Sequence, residues 1–153
     1  MKRSNPQVGD VVEMRLPNNK RAYGRVLKDG GLAVYKPVGS EELPIGSRDY
    51  QFVVGIYLPD LRRLPVVAHD PSSNSEEDWP PPSCITDALT GAKRIYYKGR
   101  INPSTQEECE GLEPTAAWHI SHIIDRIEAG EEYVPYSTAF ELLTQAKNRN
   151  QSE

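Results

Sequence analysis

Alternating apolar and polar residues dominate the first quarter of the chain. In residues 10–16, one set of alternate positions holds Val12, Met14 and Leu16, and the other holds Val11, Glu13 and Arg15. A period of two is typical of a half-buried β-strand. Two further segments, RAYGRVL and LAVYKPV, follow an Asn-Asn turn and an Asp-Gly turn, both of which suit the reversals of an antiparallel ribbon. The pattern therefore predicts a meander of three strands.

Further strands are predicted in the middle of the chain. The run from Phe52 to Leu58 is the strongest apolar stretch and is rich in β-branched and aromatic residues, which favours a central, buried strand. The segment LPVVAH is predicted to be a short edge strand, because an edge amide need not be paired and Pro65 is tolerated there. Residues 83–100 return to a strand-forming composition around a turn at Thr90-Gly91.

The period changes in the last third of the chain. Between residues 114 and 130, apolar side chains recur at helical spacing, namely Ala116, Ile120, Ile123, Ile124 and Ile127. Gly130 stands where a helix commonly ends in a left-handed glycine. A second helix is predicted from Ser137, with Thr138 and Glu141 at the spacing of a capping box.

These elements predict one α+β domain across residues 1–153, a length typical of a single domain. Its β-rich part covers residues 9–102, and its helical part covers residues 114–147. We expect a mostly antiparallel, strongly bent β-sheet or partial barrel with one or two C-terminal helices. Residues 70–83 are rich in acids and prolines, so they are predicted to form a flexible loop in which Trp79 is anchored on the body of the domain.

Composition narrows the function classes. No apolar run approaches the roughly 20 residues that span a bilayer, and the N-terminal segment lacks the apolar stretch of a secretory signal. We therefore expect a cytoplasmic protein that does not act on membranes. Cys84 and Cys109 are far apart and lack metal-binding spacing, so two reduced thiols are expected in that compartment. The formal net charge of −4 disfavours nucleic acids as partners.

Residue types that commonly catalyse reactions or bind metals show no complete pattern. His119 and His122 are spaced so that one metal could take both, but HExxH is absent and His69 would have to be the third ligand. The favoured interpretation places both on the polar side of a helix. No G-x-S-x-G elbow or phosphate-binding glycine loop occurs, and Cys109 stands among carboxylates that disfavour a nucleophilic thiolate. We expect no catalytic residue, no metal site and no cofactor.

Basic and aromatic residues are mixed in the segment KRAYGRVLKDGGLAVY. They are Lys20, Arg21, Tyr23, Arg25, Lys28 and Tyr35. On a small barrel such residues could bind nucleic acid or a ribosome, with Tyr23 and Arg25 at the centre of the surface. The favoured alternative is that the tyrosines pack across strands and the cations lie on a solvated face, because the chain has no basic excess.

Acidic residues form separate clusters. The first is Glu76, Glu77 and Asp78 beside Trp79, the second is Glu107, Glu108, Glu110 and Glu113, and the third is Glu128, Glu131 and Glu132. Such clusters are often only solvated loops and helix ends. They would also suit a protein that captures a cationic surface, where charge steers the encounter and an aromatic side chain is the anchor. Both interpretations are open at this point.

Several stretches are similar to a known family. VGDVVEMRLPNNKRAYGRVL with LAVY and FVVGIY, then WPPPSCITDALTGAKRIY, then LEPTAAWHISHIIDRI resemble segments of the immunity protein 26 family of bacterial polymorphic toxin systems. The shared features are a Gly-Asp before a strand that ends in Leu-Pro, an Ala-Tyr-Gly-Arg-Val strand, a Trp before a proline-rich link, and a Thr-Gly turn. The loop at Asp70–Glu77 and the segment from Ser137 lie outside the resemblance.

The resemblance implies a mostly β, non-catalytic protein that binds a cognate toxin domain and occludes its active site. It also implies that Tyr23, Gly24 and Arg25 determine the fold rather than contact a partner. A toxin that cuts nucleic acid would present a basic cleft, which an acidic protein would bind. The candidate toxin-binding residues are Glu76, Glu77, Asp78, Trp79, Glu107, Glu108 and Glu110. We expect a monomer or weak homodimer with no nucleic-acid partner.

Overall fold

β-strands are the main regular structure in the part of the chain that the structure describes. The computed structural model describes residues 5–37, 42–130 and Tyr133. Its strands are β1 (Asp10–Arg15), β2 (Arg21–Val26), β3 (Gly31–Tyr35), β4 (Tyr50–Ile56), β5 (Val66–His69), β6 (Ser83–Thr86), β7 (Lys93–Tyr97), β8 (Arg100–Ser104), β9 (Glu113–Pro114) and β10 (Ala117–Trp118). Its α-helices are α1 (Leu58–Leu61), α2 (Gln106–Cys109) and α3 (Ile120–Ala129), and short 3-10 helices lie at Pro17–Asn19 and Ser75–Asp78. The fold is α+β and mostly antiparallel, as predicted.

The helices of the described residues are short, and the longest of them, α3, has 10 residues. Within residues 5–37 and 42–130, none has the length and apolar character that a membrane crossing requires.

The predicted meander is confirmed. β1, β2 and β3 pair antiparallel in sequence order. The first reversal uses Asn18 and Asn19, whose φ angles of 64° and 61° lie in the left-handed region that asparagine tolerates. The second uses Asp29 and Gly30, with φ angles of 59° and 70°, which is the geometry of a primed hairpin turn. Turn residues that are predicted from the sequence therefore set the register of these three strands.

The meander belongs to a six-stranded sheet in the order β10-β4-β3-β2-β1-β5. β5 lies at the edge, as predicted. β4 lies between β3 and β10, and its Val54 and Ile56 are buried. The predicted central strand ends before Leu58, which starts α1 and is half exposed. Pro59 explains this early end, because proline suits the first turn of a helix better than a strand interior.

Buried residues lie on both faces of this sheet. On one face, Val12 and Val34 belong to the main hydrophobic core, against which Ile123 of α3 packs. On the opposite face, Val11 stands in register with Arg25, and neither has exposed surface. The period-two pattern indicated a half-buried strand, so the burial of Val11 is a correction. It arises because a later segment, bound by Arg25, crosses this end of the sheet.

A four-stranded sheet in the order β8-β7-β6-β9 lies beside the first. β6, β7 and β8 pair antiparallel, and β6 and β7 confirm the strands predicted for residues 83–100. The predicted turn at Thr90-Gly91 is present, with Gly91 at φ of 74°. A second tight turn follows at Lys98-Gly99. The side chains of this sheet are less covered than those of the larger one, and Ile101 is 51% exposed.

One extended segment joins the two sheets. β9 pairs parallel with β6, and β10 pairs parallel with β4. Gly55 permits this approach, because a Cβ built there would lie 2.5 Å from the carbonyl oxygen of Ala116. Gly31 stands opposite Gly55 on β3, and a Cβ on Gly31 would lie 2.6 Å from Cγ of Pro80. We call this facing pair of glycines the glycine notch, and both connections to the second sheet pass through it.

The predicted helix begins later than the sequence pattern indicates. α3 starts at Ile120 rather than near residue 114, because residues 113–118 are extended in β9 and β10. Asp60 of α1 caps the helix: its carboxylate accepts a hydrogen bond from the Ile120 amide at 3.0 Å. Gly130 ends the helix with φ of 60°, as predicted. The second helix, predicted from Ser137, lies outside the described residues.

Cys84 and Cys109 form a disulfide, and their Cα atoms are 5.7 Å apart. The expectation of two reduced thiols is therefore wrong for this structure. The cysteines are 25 positions apart in the sequence, and the β6–β7–β8 meander brings α2 back to the sheet that carries Cys84. Chain folding, rather than sequence spacing, creates this proximity.

Candidate functional site

The candidate acidic loop, Asp70–Trp79, is bound to the larger sheet by a buried arginine. The side chain of Arg25 is 0% exposed, which is rare for a guanidinium unless it is paired. Its Nε donates to the carbonyl oxygen of Asp70 at 2.9 Å and one terminal nitrogen donates to the carbonyl oxygen of Glu77 at 3.3 Å. The other terminal nitrogen donates to Oδ1 of Asp78 at 2.7 Å. Arg25 therefore clamps the acidic loop at both of its ends.

A second arginine binds the same loop from the segment before β4. Arg48 donates to Oδ2 of Asp70 at 2.8 Å and to Oε2 of Glu77 at 3.1 Å. The buried carboxylate of Asp70 also accepts hydrogen bonds from the Tyr35 hydroxyl at 2.6 Å and from the Gly46 amide at 3.1 Å. Oδ2 of Asp70 thus accepts three hydrogen bonds, which offset the cost of burying this carboxylate.

These contacts set the ionisation of the loop. Burial opposes ionisation of Asp70 and Asp78, but hydrogen bonds from the two arginines outweigh it and hold the pKa of both carboxyls below its usual value. The Ser73 amide, followed by Arg48, lowers the pKa of Glu77. Burial and the bond to Asp70 raise the pKa of the Tyr35 hydroxyl, so it stays protonated and donates. The loop therefore holds fixed negative charges near neutral pH.

Two of the three predicted contact acids in the loop have their charges engaged inside the protein. The side chains of Glu77 and Asp78 are 23% and 15% exposed and are paired with the two arginines. Glu76 differs, because its side chain is 67% exposed and binds Lys98 of the smaller sheet at 2.7 Å. Within this cluster, Glu76 offers the most accessible carboxylate to an external partner.

Trp79 is half-buried and anchored, as predicted. Nζ of Lys28 lies 5.0 Å from the centroid of the indole ring, and Nζ of Lys98 lies 5.9 Å from it. Both distances suit cation–π attraction. The Lys28 amide also donates to the carbonyl oxygen of Asp78 at 2.7 Å. Trp79 therefore joins the acidic loop to both sheets, and its ring is only partly available to a partner.

The second predicted acidic cluster lies on and beside α2. Glu107, Glu108 and Glu110 are exposed. Thr105 caps the start of the helix: its Oγ1 accepts from the Glu108 amide and donates to the Glu108 carboxylate, both at 3.1 Å. Glu113 is not part of this surface, because it lies in β9 and pairs with another arginine, Arg126, through both carboxylate oxygens.

Strand β7 connects the two candidate surfaces. Cys109 of α2 lies near the start of this strand, with Sγ 4.0 Å from the carbonyl oxygen of Arg94. Lys98, which binds Glu76, directly follows the end of β7. At a strand rise of about 3.3 Å per residue, the two attachment points are roughly 13 Å apart. The exposed acids therefore stand at the two ends of one strand.

The basic and aromatic residues of the opening segment do not form one surface. Arg25 is 0% exposed and Tyr35 is 2% exposed, so both are inside the protein. Arg21 is exposed, Tyr23 is half-buried, and Lys28 lies over the indole of the acidic loop. The alternative nucleic-acid surface centred on Tyr23 and Arg25 therefore lacks the guanidinium on which it depended.

The histidines are not arranged as a shared metal site. His119 precedes α3, where its Nδ1 lies 3.3 Å from Asp60 and its ring packs edge-on against Tyr57 at 4.7 Å. His122 lies on the exposed side of α3, as predicted. Across residues 5–37, 42–130 and Tyr133, no group of three or more His, Cys, Asp or Glu side chains could hold a metal ion.

A cleft of about 580 Å³ separates the two sheets. The glycine notch and the Pro80–Pro82 segment line it from one side, and Tyr96 lines it from the other. The Tyr96 hydroxyl donates to the carboxylate of Asp29 in the β2–β3 turn, so a hydrogen bond joins the smaller sheet to the larger one at this cleft.

The sequence did not single out Arg48 or Asp70. Arg48 adjoins Asp49 and Asp70 follows His69, and no local pattern distinguishes either residue from a solvated one. Only one sequence feature hinted at a structural role for Asp70: it stands directly before Pro71, between a predicted edge strand and the acidic loop. Only the pairing of distant segments shows that the two charges meet.

Comparisons with known proteins do not assign the chain to a family. No protein-family model, curated protein or solved structure matches it.

Proposed function

We propose that this protein is an immunity protein that neutralises a bacterial toxin domain by binding it and occluding its active site. The observation that carries the proposal is the clamp made by Arg25, which holds the acidic loop against the sheet through three donors. A surface that is ordered before binding loses little conformational entropy when the partner docks. The clamp therefore fixes the Glu76–Trp79 end of the contact surface described below, which suits tight, stoichiometric capture.

The contact surface is narrower than the sequence predicts. Glu107, Glu108 and Glu110 on and beside α2 form its main negative charge, and Glu76 with the exposed part of Trp79 forms its other end. Glu77 and Asp78 act indirectly, because they bind the arginines that hold the loop. The partner is a cognate toxin domain with a basic cleft, as a nuclease would have, since opposite charge accelerates encounter.

The experiment measures association of the purified chain with the toxin domain encoded beside its gene. We expect the triple variant E107K/E108K/E110K to associate at least about tenfold more slowly at low salt, because it replaces the attracting charges by repelling ones. The difference should shrink at high salt, where surface charges are screened. The matched control is E42K/D125K/E128K, which makes the same change of net charge at three other exposed acids.

An equal loss in both triple variants would show that only net charge matters and would contradict the α2 surface. Unchanged association in the α2 variant, or no protection of cells that make the toxin, would contradict the proposed function. Fluorescence anisotropy with RNA and DNA across salt concentrations tests the alternative class. Salt-sensitive binding to either would favour a nucleic-acid module.

A further inference from the structure

Besides the backbone itself, a disulfide joins the turn that carries the second acidic cluster to the rest of the protein. Cys109 is the last residue of α2, is 7% exposed, and is joined to Cys84 on β6. The other residues of the turn, Gln106, Glu107 and Glu108, are exposed. The disulfide therefore provides the buried contact between α2 and the smaller sheet.

The other bonds of this turn are local. The Thr105 side chain caps the helix by accepting from the Glu108 amide, and the Cys109 amide donates to the carbonyl oxygen of Thr105 at 3.2 Å. The Glu110 amide donates to the carbonyl oxygen of Glu107 at 3.2 Å. A single helical turn with only such bonds is unstable in water, because nucleating a helix is unfavourable and few bonds follow it. The turn depends on its attachment to stay folded.

We propose that the Cys84–Cys109 disulfide is a reducible latch, and that dithiol reductants release α2 from the smaller sheet. Residues 105–110 then become mobile while both sheets keep their fold. The latch sets whether the acids of α2 are displayed as a fixed cluster or as a mobile segment.

The redox step is an ordinary thiol–disulfide exchange. A thiolate of the reductant attacks Sγ of Cys84, the less buried of the two cysteines, and Cys109 leaves as a thiolate and takes up a proton. The second thiolate of the reductant then attacks the mixed disulfide and releases Cys84, which is protonated in turn. Two electrons and two protons pass to the protein, and the reductant becomes its own cyclic disulfide.

The released cluster would bind a cationic partner less well. Glu107, Glu108 and Glu110 would have to be ordered again at the moment of binding, which lowers affinity. This consequence depends on the proposed function, whereas the release of α2 does not. The two are therefore tested by separate measurements.

The first measurement is backbone amide relaxation of the uniformly labelled full chain, before and after dithiothreitol. We expect order parameters of Glu107 and Glu108 to fall from about 0.85 to below about 0.6 on reduction. Amide resonances of Val34 and Val54 in the core of the larger sheet should keep their positions. The variant C84S/C109S should behave as the reduced protein without added reductant, and dithiothreitol should leave it unchanged.

Unaltered order parameters in α2 after complete reduction would overturn the latch, as would two free thiols in protein prepared without reductant. Collapse of the Val34 and Val54 resonances would also overturn it, because the disulfide would then hold the whole fold. The second measurement compares toxin-domain binding of oxidised and reduced protein, with about tenfold weaker binding expected after reduction. Absence of binding in both states would count against the proposed function alone.

Discussion

The guanidinium of Arg25 lies 2.7 Å from the carboxylate of Asp78, 53 positions later in the chain. The pair sits on the face of the larger sheet that is opposite to the hydrophobic core. The sequence pattern favours a solvated position for Arg25 on its strand. The ion pair with Asp78 explains why Arg25 instead has no exposed surface. The acidic loop is therefore part of the packed structure, and its geometry depends on β2.

Replacing Arg25 by methionine should destabilise the protein. The change leaves Asp78 without its ion-pair partner and two loop carbonyl oxygens without donors, and breaking a buried pair from one side usually costs about 3–5 kcal/mol. Urea denaturation followed by fluorescence of the two tryptophans would measure the free energy of unfolding. The matched control is Arg21→Met on the same strand, whose side chain is 57% exposed and whose loss should cost below about 1 kcal/mol. Equal effects of the two substitutions would contradict the clamp.

Acid should weaken the protein through the acidic loop. The pKa values of Asp70, Asp78 and Glu77 are lower in the folded protein than their usual values of 3.8, 3.8 and 4.5. Groups with lowered pKa stabilise the fold above the unfolded pKa, and this contribution is lost as pH falls through the folded pKa. The free energy of unfolding should therefore be nearly flat between about pH 7 and pH 5.5 and should fall below about pH 4.5.

The substitution Arg48→Met tests how much of this pH dependence comes from the carboxyl groups of the acidic loop that Arg48 binds. Without the guanidinium, the pKa values of Asp70 and Glu77 rise toward their usual values, so the acid slope of stability becomes shallower. Asp60 and Asp87 also have lowered pKa values but hydrogen-bond elsewhere, so their contribution persists in the variant. Urea denaturation curves of both proteins across the same pH range would measure this difference in the free energy of unfolding. Superimposable pH profiles of the two proteins would show that the loop carboxylates do not respond to Arg48.

Gly55→Ala should disturb the connection between the sheets. The added Cβ would meet the carbonyl oxygen of Ala116 at 2.5 Å, and a backbone atom cannot move without displacing β10. Overpacking of this kind usually costs about 1–3 kcal/mol. Trp118 of β10 should report the displacement through a shift of its fluorescence. The control, Ala117→Ser, alters an exposed side chain of the same strand pair and should change stability by about 0.5 kcal/mol or less. A normal spectrum with full stability in the glycine variant would show that the notch is not required.

Removing both cysteines should lower global stability as well as release α2. The cross-link closes a segment of 25 positions, for which the chain-entropy estimate gives about 3–4 kcal/mol. Urea denaturation of C84S/C109S against the oxidised protein measures the difference, and dithiothreitol should lower the stability of the latter to that of the variant. Equal midpoints for oxidised and reduced protein would mean that the bond does not constrain the unfolded chain.

The candidate site was partly legible in the sequence. Glu107, Glu108 and Glu110 lie on the surface, where an acidic cluster on a short helix is expected to be. Glu77 and Asp78 looked equivalent to Glu76 in one dimension, yet they point toward arginines from β2 and from the segment before β4. Local composition cannot distinguish an exposed acid from one that will meet a distant guanidinium.

The sequence by itself determined the local structure of the first three strands, the turns between them and the glycine that ends α3, because these depend on side-chain period and on φ angles that few residues adopt. It also indicated the α+β class. The tertiary structure alone decided the start of α3, the Cys84–Cys109 bond and the burial of Arg25. Each of these depends on a contact between residues far apart in the chain, and the energy of such a contact has no local signature. Residues 113–118 have a helical sequence pattern but form strands, because their backbone groups pair with β4 and β6. The isolated segment has no such hydrogen-bond partners, so its sequence alone favours a helix.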